Sequence, residues 1–247
     1  KKGVEWNNLK NKYLNIADDL FLIKDLTSNN YLYYPNYYEK PFHGYDKGNL
    51  NWNAAYEGVP ATLSMSSNYW NNIDAKESQD WMRNNYTSHI LNYYKLLNKI
   101  PKSLNILDVG CSVGISTEYL KNSFESENVY GLDLSPYFIA LATYRSNINR
   151  KSISYFHNNA EEMIFEDNSF DLITVQFMFH EMPLKARHNV LKEIKRVLKP
   201  GGLCAILDLD PERLLPNLNR NFFRKWAFEI TEPHIYEYYN TDLLNIM

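Results

Sequence analysis

A chain of 247 residues, 45% of them hydrophobic, is long enough for one domain with an extension and apolar enough to bury a core. Its net charge of −3 argues against general nucleic-acid binding, which needs a basic surface. No apolar run reaches the roughly 18 residues of a membrane span. Two cysteines, Cys111 and Cys204, imply no disulfide framework and favour a reducing compartment.

Both ends of the sequence suggest truncation. The chain begins Lys1-Lys2-Gly3, without a methionine, so any targeting segment is unreadable. We expect a cytoplasmic location or a plastid-like organelle. The last residues, 243–247, fall within a pattern typical of a helix.

The chain changes character in its first hundred residues. Residues 1–75 are aromatic and irregular, and we expect an N-terminal extension or lid there, with residues 76–247 forming the core. Residues 31–56 combine prolines and glycines with many aromatic side chains, which predicts an ordered loop packed on the core or over a site. Residues 76–99 carry apolar side chains at helical spacing and predict a helix.

Strands and helices alternate in the rest of the chain. This alternation predicts an α/β fold, with a Rossmann-like, doubly wound, mostly parallel sheet flanked by helices. Apolar runs predict strands at residues 105–109, 128–133, 153–156, 170–177 and 203–209. Helices are predicted at residues 115–122, from Pro136 onward, and at 183–198, where Pro200-Gly201-Gly202 ends the last one.

A glycine-rich turn follows the first predicted strand. Gly110 and Gly114 let the backbone turn sharply and approach a ligand closely. Ligands of such sheets bind beyond the carboxyl ends of the strands. Asp133 ends the second predicted strand about twenty residues later, where a carboxylate can accept ribose hydroxyls. The pattern therefore predicts a nucleoside site.

The charge near this turn indicates which nucleoside binds. The turn lacks the G-x-G-x-x-G spacing of dinucleotide binders. Asp108 lies two residues before Gly110, where a carboxylate repels a pyrophosphate. The same carboxylate attracts the ammonium and sulfonium groups of S-adenosylmethionine. We therefore predict S-adenosylmethionine as the cofactor.

Residues 103–210 resemble the class I S-adenosylmethionine-dependent methyltransferases, and within them the methyltransferase type 11 group. Ser112 stands where glycine is commoner in that group. The family normally ends in a further pair of strands, and their absence before Met247 implies a C-terminal truncation. The flanking residues 34–38, 41–45 and 231–234 resemble an uncharacterised plant-plastid and cyanobacterial branch. The main resemblance is carried, in the family's order, by residues 107–114 (LDVGCSVG), 131–136 (GLDLSP), 159–162 (NAEE), 169–173 (SFDLI) and 198–202 (LKPGG).

The resemblance implies transfer of a methyl group from S-adenosylmethionine to an unidentified acceptor, with a small molecule favoured. His180, with Glu181 beside it, is the candidate base; its alternative is a packing or capping role. His43, near Tyr45 and Asp46, is a second candidate. The resemblance, with the residue pattern, gives a cofactor site of Asp108, Gly110, Cys111, Ser112, Gly114, Asp133, Leu134, Asn159, Ala160, Glu161, Gln176 and Phe177.

Two other functions stay open at this point. One is an NAD-type oxidoreductase on a related sheet, and the other is a non-catalytic protein that binds a partner through the aromatic N-terminal segment. A nucleic-acid acceptor is disfavoured by charge and because residues 176–179 read QFMF instead of an Asn-Pro-Pro-Tyr type motif. A protein or a lipid-like quinone acceptor stays open. The histidines show no metal-ligand spacing, and the oligomeric state is unreadable.

Overall fold

A parallel β-sheet forms the centre of the computed structural model, which describes residues 3–70, 72–98, 103–124, 126, 128–210, 212–213, 216, 220 and 222–243. The sheet has five strands in the order β3-β2-β1-β4-β5, and every neighbouring pair is parallel. This arrangement confirms the predicted Rossmann-like fold class. The strands are β1 (Ile106–Val109), β2 (Val129–Asp133), β3 (Ser154–His157), β4 (Phe170–Gln176) and β5 (Leu198–Leu207).

Helices cover the sheet and build the N-terminal part. Ser135 caps one of them through its side chain, with Pro136 in the first turn, as the sequence predicts. No helix in the described ranges is long and apolar enough to cross a bilayer. The helices are α1 (Trp6–Leu14), α2 (Ala17–Thr27), α3 (Trp52–Ser66), α4 (Ala75–Leu96), α5 (Ile115–Phe124), α6 (Pro136–Ile148), α7 (Leu184–Val197), α8 (Phe222–Thr231) and α9 (Ile235–Tyr239).

The N-terminal part contains more helix than predicted. Helix α3 begins inside residues 31–56, which the sequence predicts as loop, because the Asn51 side chain accepts a hydrogen bond from the Ala54 backbone N–H at 2.9 Å and caps the helix. Helix α4 ends at Leu96, and the predicted end, Lys99, lies outside the described residues.

Strand β5 begins earlier than predicted, immediately after α7. Phe170 pairs with Leu198, whereas Leu172 pairs with Leu203, so the register shifts between these two pairs. Gly201, with φ +76°, lies in the extra residues and permits this bulge. The sequence analysis expected Pro200-Gly201-Gly202 to end the preceding helix and separate it from the next strand. In the structure these residues lie within β5 and form its bulge. Among residues 208–243, the described positions form helices and no strand.

The N-terminal helices share a hydrophobic core with the α/β part. Tyr13 of α1, Leu20 of α2 and Ala55 of α3 pack in one buried cluster with Phe138 and Leu141 of α6. Tyr13 and Leu20 are at most 3% exposed. Burying such side chains removes apolar surface from water and fixes the N-terminal helices against the sheet layer.

Asp108, in the middle of the sheet, is a fully buried carboxylate. Its Oδ1 accepts a hydrogen bond from the Thr174 hydroxyl of β4 at 2.8 Å. Its Oδ2 accepts bonds from the hydroxyls of Ser116 at 2.5 Å and Thr117 at 2.7 Å, both on α5. Burial raises the pKa of Asp108, and the three hydroxyl donors oppose that rise. One side chain thus ties β1 to β4 and α5.

We predict that Thr174→Val lowers the free energy of unfolding by about 1–3 kcal/mol, because it removes one donor from the buried carboxylate without changing the side-chain volume much. Chemical denaturation measures the change. The matched control is Thr27→Val, whose half-buried hydroxyl bonds only the Ile23 carbonyl of its own helix. Equal losses in the two variants would show that the Asp108 contacts add no special stability.

Candidate active site

A cavity of about 640 Å³ lies at the carboxyl ends of β1, β2 and β4. Its volume falls within the roughly 300–1,000 Å³ of small-molecule sites, and its position matches the sequence expectation. The predicted site residues that line it are Gly110, Cys111, Ser112, Asp133, Leu134, Asn159, Ala160, Gln176, Phe177, His180 and Glu181.

Three predicted site residues lie outside the cavity lining. Asp108 stands behind the turn, with its oxygens bonded to hydroxyls. Gly114 has φ +82°, and a Cβ there would come within 2.5 Å of the Tyr155 hydroxyl. Glu161 accepts hydrogen bonds from the Tyr37 hydroxyl and the Asn189 amide, each at 2.8 Å. Their visible contacts hold the turn and neighbouring segments in place.

Asp133 is fixed in orientation at the cavity wall. Its Oδ2 accepts a hydrogen bond from the Ser112 backbone N–H, and its Oδ1 accepts one from the Ser135 backbone N–H, both at 2.8 Å. Burial and the charge of Asp108 raise its pKa to about 6, against the effect of these bonds. Ser112 has φ +48°, a conformation that glycine adopts with less strain, which accounts for the commoner glycine.

Arg83 of α4 lines the same cavity and was missed by the sequence reasoning. The side chain is 5% exposed, and its Nη1 donates to the Gln176 side-chain oxygen. The guanidinium carbon lies 5.6 Å from the centre of the Phe177 ring, and within the described residues its Nε has no hydrogen-bond partner. Arg83 is next to Met82 and three residues before Tyr86, on the buried face of the helix. A charged residue on this face could have been recognised in the sequence as a candidate for the site.

His180 is held by a carboxylate that the sequence reasoning also missed. The His180 Nδ1 lies 2.6 Å from Asp208 Oδ1, while Asp208 Oδ2 accepts the Phe179 backbone N–H at 2.9 Å. Burial alone would lower the pKa of His180, but the bond and charge of Asp208, with Glu181 and Glu232, raise it to about 9. Asp208 directly follows β5, so the strand-end rule that picked Asp133 would have found it.

Two glutamates and a second histidine complete this group, called here the acid–base cluster: His43, His180, Glu181, Asp208 and Glu232. His43 Nε2 lies 3.1 Å from Glu232 Oε1 and 3.6 Å from Glu181 Oε1. Glu181 Oε1 is also 4.0 Å from His180 Nε2. Burial raises the pKa of Glu181 to about 7, although both histidines oppose the rise. Of the second candidate group, His43 and Tyr45 line the cavity, whereas Asp46 is exposed.

Residues 29–49, called here the aromatic roof, cover the cavity. His157, at the end of β3, accepts the Asn29 backbone N–H at 2.9 Å and contacts the Tyr34 hydroxyl at 3.1 Å. Burial lowers the pKa of His157 to about 4. The Ser135 hydroxyl donates to the Asn49 carbonyl at 2.7 Å. The roof is therefore attached to the sheet edge near both of its ends.

Metal binding finds no support in the described part of the chain, where no three His, Cys, Asp or Glu side chains are placed to hold an ion.

The parallel sheet, the glycine turn after β1 and the carboxylate ending β2 are together typical of a Rossmann-like sheet that binds a nucleoside. A family model described as a methyltransferase domain matches residues 107–206. Residues 107–206, 100 of the 247 residues, are thus similar to the methyltransferase domains that this family model describes, as the sequence predicts.

Curated relatives match a stretch of similar length. An uncharacterized methyltransferase of Synechocystis is 36% identical over 110 residues, covering 44% of this chain and 49% of the relative. The demethylmenaquinone methyltransferase of Bacillus licheniformis is 35% identical over 113 residues, covering 45% and 47%. The chain thus spans about half the length of these relatives. The crystal structure of the Pyrococcus horikoshii PH0226 protein aligns with a TM-score of 0.49 and 26% identity, covering 57% of this chain and 64% of that one.

We predict that the stabilising effect of His180, measured against His180→Gln, depends on pH. Because the pKa of His180 is raised from 6.5 to about 9 on folding, its contribution is complete below pH 6.5 and is lost as pH rises through about 9. Urea unfolding across this range measures the difference in free energy between the two proteins. His188→Gln, on the exposed side of α7, is the control. A difference that does not change with pH would contradict the Asp208 pairing.

Proposed function

We propose that this protein transfers a methyl group from S-adenosylmethionine to an acceptor bound in the same cavity. The observation that carries the proposal is the presence of opposite charges in the lining of one cavity: the fixed carboxylate of Asp133 and the buried guanidinium of Arg83. The cofactor presents ribose hydroxyls, which need an acceptor, and a methionine carboxylate, which needs a cation. The lining offers both within one enclosure.

The residues after β2 and β3 fit the nucleoside half of the cofactor. Each oxygen of Asp133 accepts a backbone N–H, and a carboxylate has further lone pairs that can accept ribose hydroxyls. Leu134 and Ala160 are buried apolar surfaces for the adenine ring, and Asn159 borders the same region of the cavity. Gly110 and Ser112 keep the turn close to the ligand.

Arg83 fits the methionine carboxylate. A buried guanidinium with an unpartnered Nε is costly, and a carboxylate would satisfy it with charge-assisted hydrogen bonds. Gln176 positions the guanidinium, and Phe177 packs against it. We assign Asp108 to holding the turn and offsetting the charge of Arg83 from the interior, because the carboxylate does not reach the cavity wall.

The sulfonium of the cofactor supplies an activated methyl group, so the protein must orient an acceptor in line with it and exclude water. The aromatic roof suits the second task, and we propose residues 1–75 as a lid-bearing extension of the core. Tyr37 and Tyr38 of the roof line the cavity. Their aromatic rings can stabilise the positive charge of a bound sulfonium by cation–π contact. The net charge of −3 supports a small-molecule acceptor over a nucleic acid.

The alternative functions have less support. A non-catalytic relative would fill its cofactor site with side chains, whereas a cavity of about 640 Å³ remains here. An oxidoreductase would bind a pyrophosphate at the turn, where the carboxylate of Asp108 lies directly behind the backbone. Charge repulsion disfavours that ligand.

We predict that S-adenosylhomocysteine raises the melting temperature of the protein in a thermal-shift assay, while NADH does not, because only the first fits the charges of the cavity. Asp133→Asn should lose most of this shift. The amide of asparagine has only one acceptor oxygen and no negative charge, so it cannot accept both ribose hydroxyls. The melting temperature of the unliganded variant controls for folding. Stabilisation by NADH alone would refute the proposed function.

We predict that Arg83→Met weakens S-adenosylhomocysteine binding by roughly 10- to 100-fold, the effect of losing a charge-assisted hydrogen bond of about 1.5–3 kcal/mol. Isothermal titration measures the affinity. 5′-Methylthioadenosine, which lacks the methionine carboxylate, should bind the wild-type protein and the variant equally. A similar loss for both ligands would show that Arg83 only supports the fold.

A further inference from the structure

The acid–base cluster is a second polar group in the cavity, and its chemistry indicates the class of the methyl acceptor. The inference rests on the proposed function. The proposed cofactor uses Asp133 and Arg83, which leaves the cluster to meet the acceptor. His43, His180, Glu181 and Glu232 all line the cavity, and Asp208 stands behind His180.

Charge matching leaves one carboxylate of the cluster available. Asp208 is matched by His180 at 2.6 Å, and Glu232 is matched by His43 at 3.1 Å. Glu181 lies 3.6 Å or more from both imidazoles, and no hydrogen bond to its carboxylate occurs among the described residues. Its side chain is 24% exposed, on surface that borders the cavity. Glu181 is thus positioned to accept a proton from a bound molecule.

A second observation also calls for a donor. The Oε2 atom of Glu232 is buried and, in the part of the chain described, has no hydrogen-bond partner. A buried carboxylate oxygen without a donor is costly, so a ligand that donates an O–H or N–H bond would stabilise this part of the cavity.

The surroundings of the cluster set the body of the acceptor. Apolar cavity-lining residues lie next to members of the cluster in the sequence or bond to them, and include Phe42, Met182, Leu209 and Phe228. Methionine side chains adapt to flat or irregular apolar ligands, and aromatic side chains pack against rings. The acceptor is therefore expected to be mainly apolar, with its polar group directed at the cluster.

We propose that the acceptor is a neutral aromatic or enolic compound with an ionisable hydroxyl, and that Glu181 takes the hydroxyl proton as the methyl group moves to oxygen. The O–H bond breaks and its proton passes to the Glu181 carboxylate. The oxygen forms the new O–C bond, and the C–S bond breaks with its electron pair remaining on sulfur. The products are a methyl ether, S-adenosylhomocysteine and protonated Glu181, which returns the proton to water.

The histidines favour an oxygen anion over an ammonium. His43 and His180 lie within 4.0 Å of Glu181, so charged imidazoles would stabilise a developing phenolate and repel an ammonium. Glu181 also has a suitable proton affinity, because burial raises its pKa to about 7, near the value that suits a general base.

The test compares 1-naphthol with 1-naphthylmethylamine, which share an aromatic body and differ in the polar group. Thermal shift with S-adenosylhomocysteine present measures binding, and labelled S-adenosylmethionine measures methyl transfer. We expect the wild-type protein to bind and methylate the naphthol in preference to the amine. Preference for the amine, or failure to bind or methylate the naphthol, overturns the inference. If S-adenosylhomocysteine itself fails to bind, the proposed function fails instead.

Glu181→Gln tests the role of the base. The variant should lower kcat with 1-naphthol by roughly 100-fold or more, the usual effect of losing a general base, and leave S-adenosylhomocysteine affinity unchanged. The wild-type kcat should rise with pH through about 7, and the variant should lack that rise. Asp208, His43, His180 and Glu232 face Glu181 in both proteins. Glu166→Gln, an exposed change outside the cavity, is the matched control. A variant that keeps the wild-type pH profile overturns the role.

Discussion

The buried carboxylate of Asp108 is the constraint on which the site depends. It joins three elements of the fold through hydroxyl groups, and the chain turns two residues later at Gly110. The backbone N–H of Ser112 in that turn then holds Asp133 in place. A carboxylate inside the sheet therefore fixes a second carboxylate at the cavity wall. Burying a carboxylate is costly unless it is hydrogen-bonded, and these hydroxyls supply its donors.

The aromatic roof shows how the N-terminal part becomes integral to the site. His157, at the end of β3, forms hydrogen bonds with the Asn29 backbone N–H and the Tyr34 hydroxyl. Glu161 accepts a hydrogen bond from the Tyr37 hydroxyl. His157 and Glu161 end or follow β3, and these hydrogen bonds go to the roof. Residues after the strands thus divide into those that line the cavity and those that hold the segment covering it.

The sequence predicted five strands, a mostly parallel sheet and the cavity lining near the glycine turn, because apolar periodicity and strand-end chemistry are local signals. It missed Arg83 and Asp208, since their roles depend on which helix and strand are neighbours in space. The sequence analysis also missed most of the N-terminal helices. Helix α1, for example, has a mostly polar sequence, and its buried Tyr13 packs in a cluster with residues of α3 and α6. Such a helix is stabilised by tertiary packing more than by its own helix propensity. Asp108 was placed correctly on its strand, whereas its partners required the tertiary structure.

The two polar groups in the cavity lining suit a reaction that removes charge. Transfer of a methyl group from a sulfonium to a phenolate converts a cation and an anion into two neutral products, so water, which stabilises the separated charges, slows it. An enclosed site with matched charges is a better medium. In the proposed complex Asp133 and Arg83 are the partners of the cofactor, while the cluster keeps its histidines and carboxylates nearly balanced around Glu181. The aromatic roof then limits access of water to the region between them, where the methyl group would move.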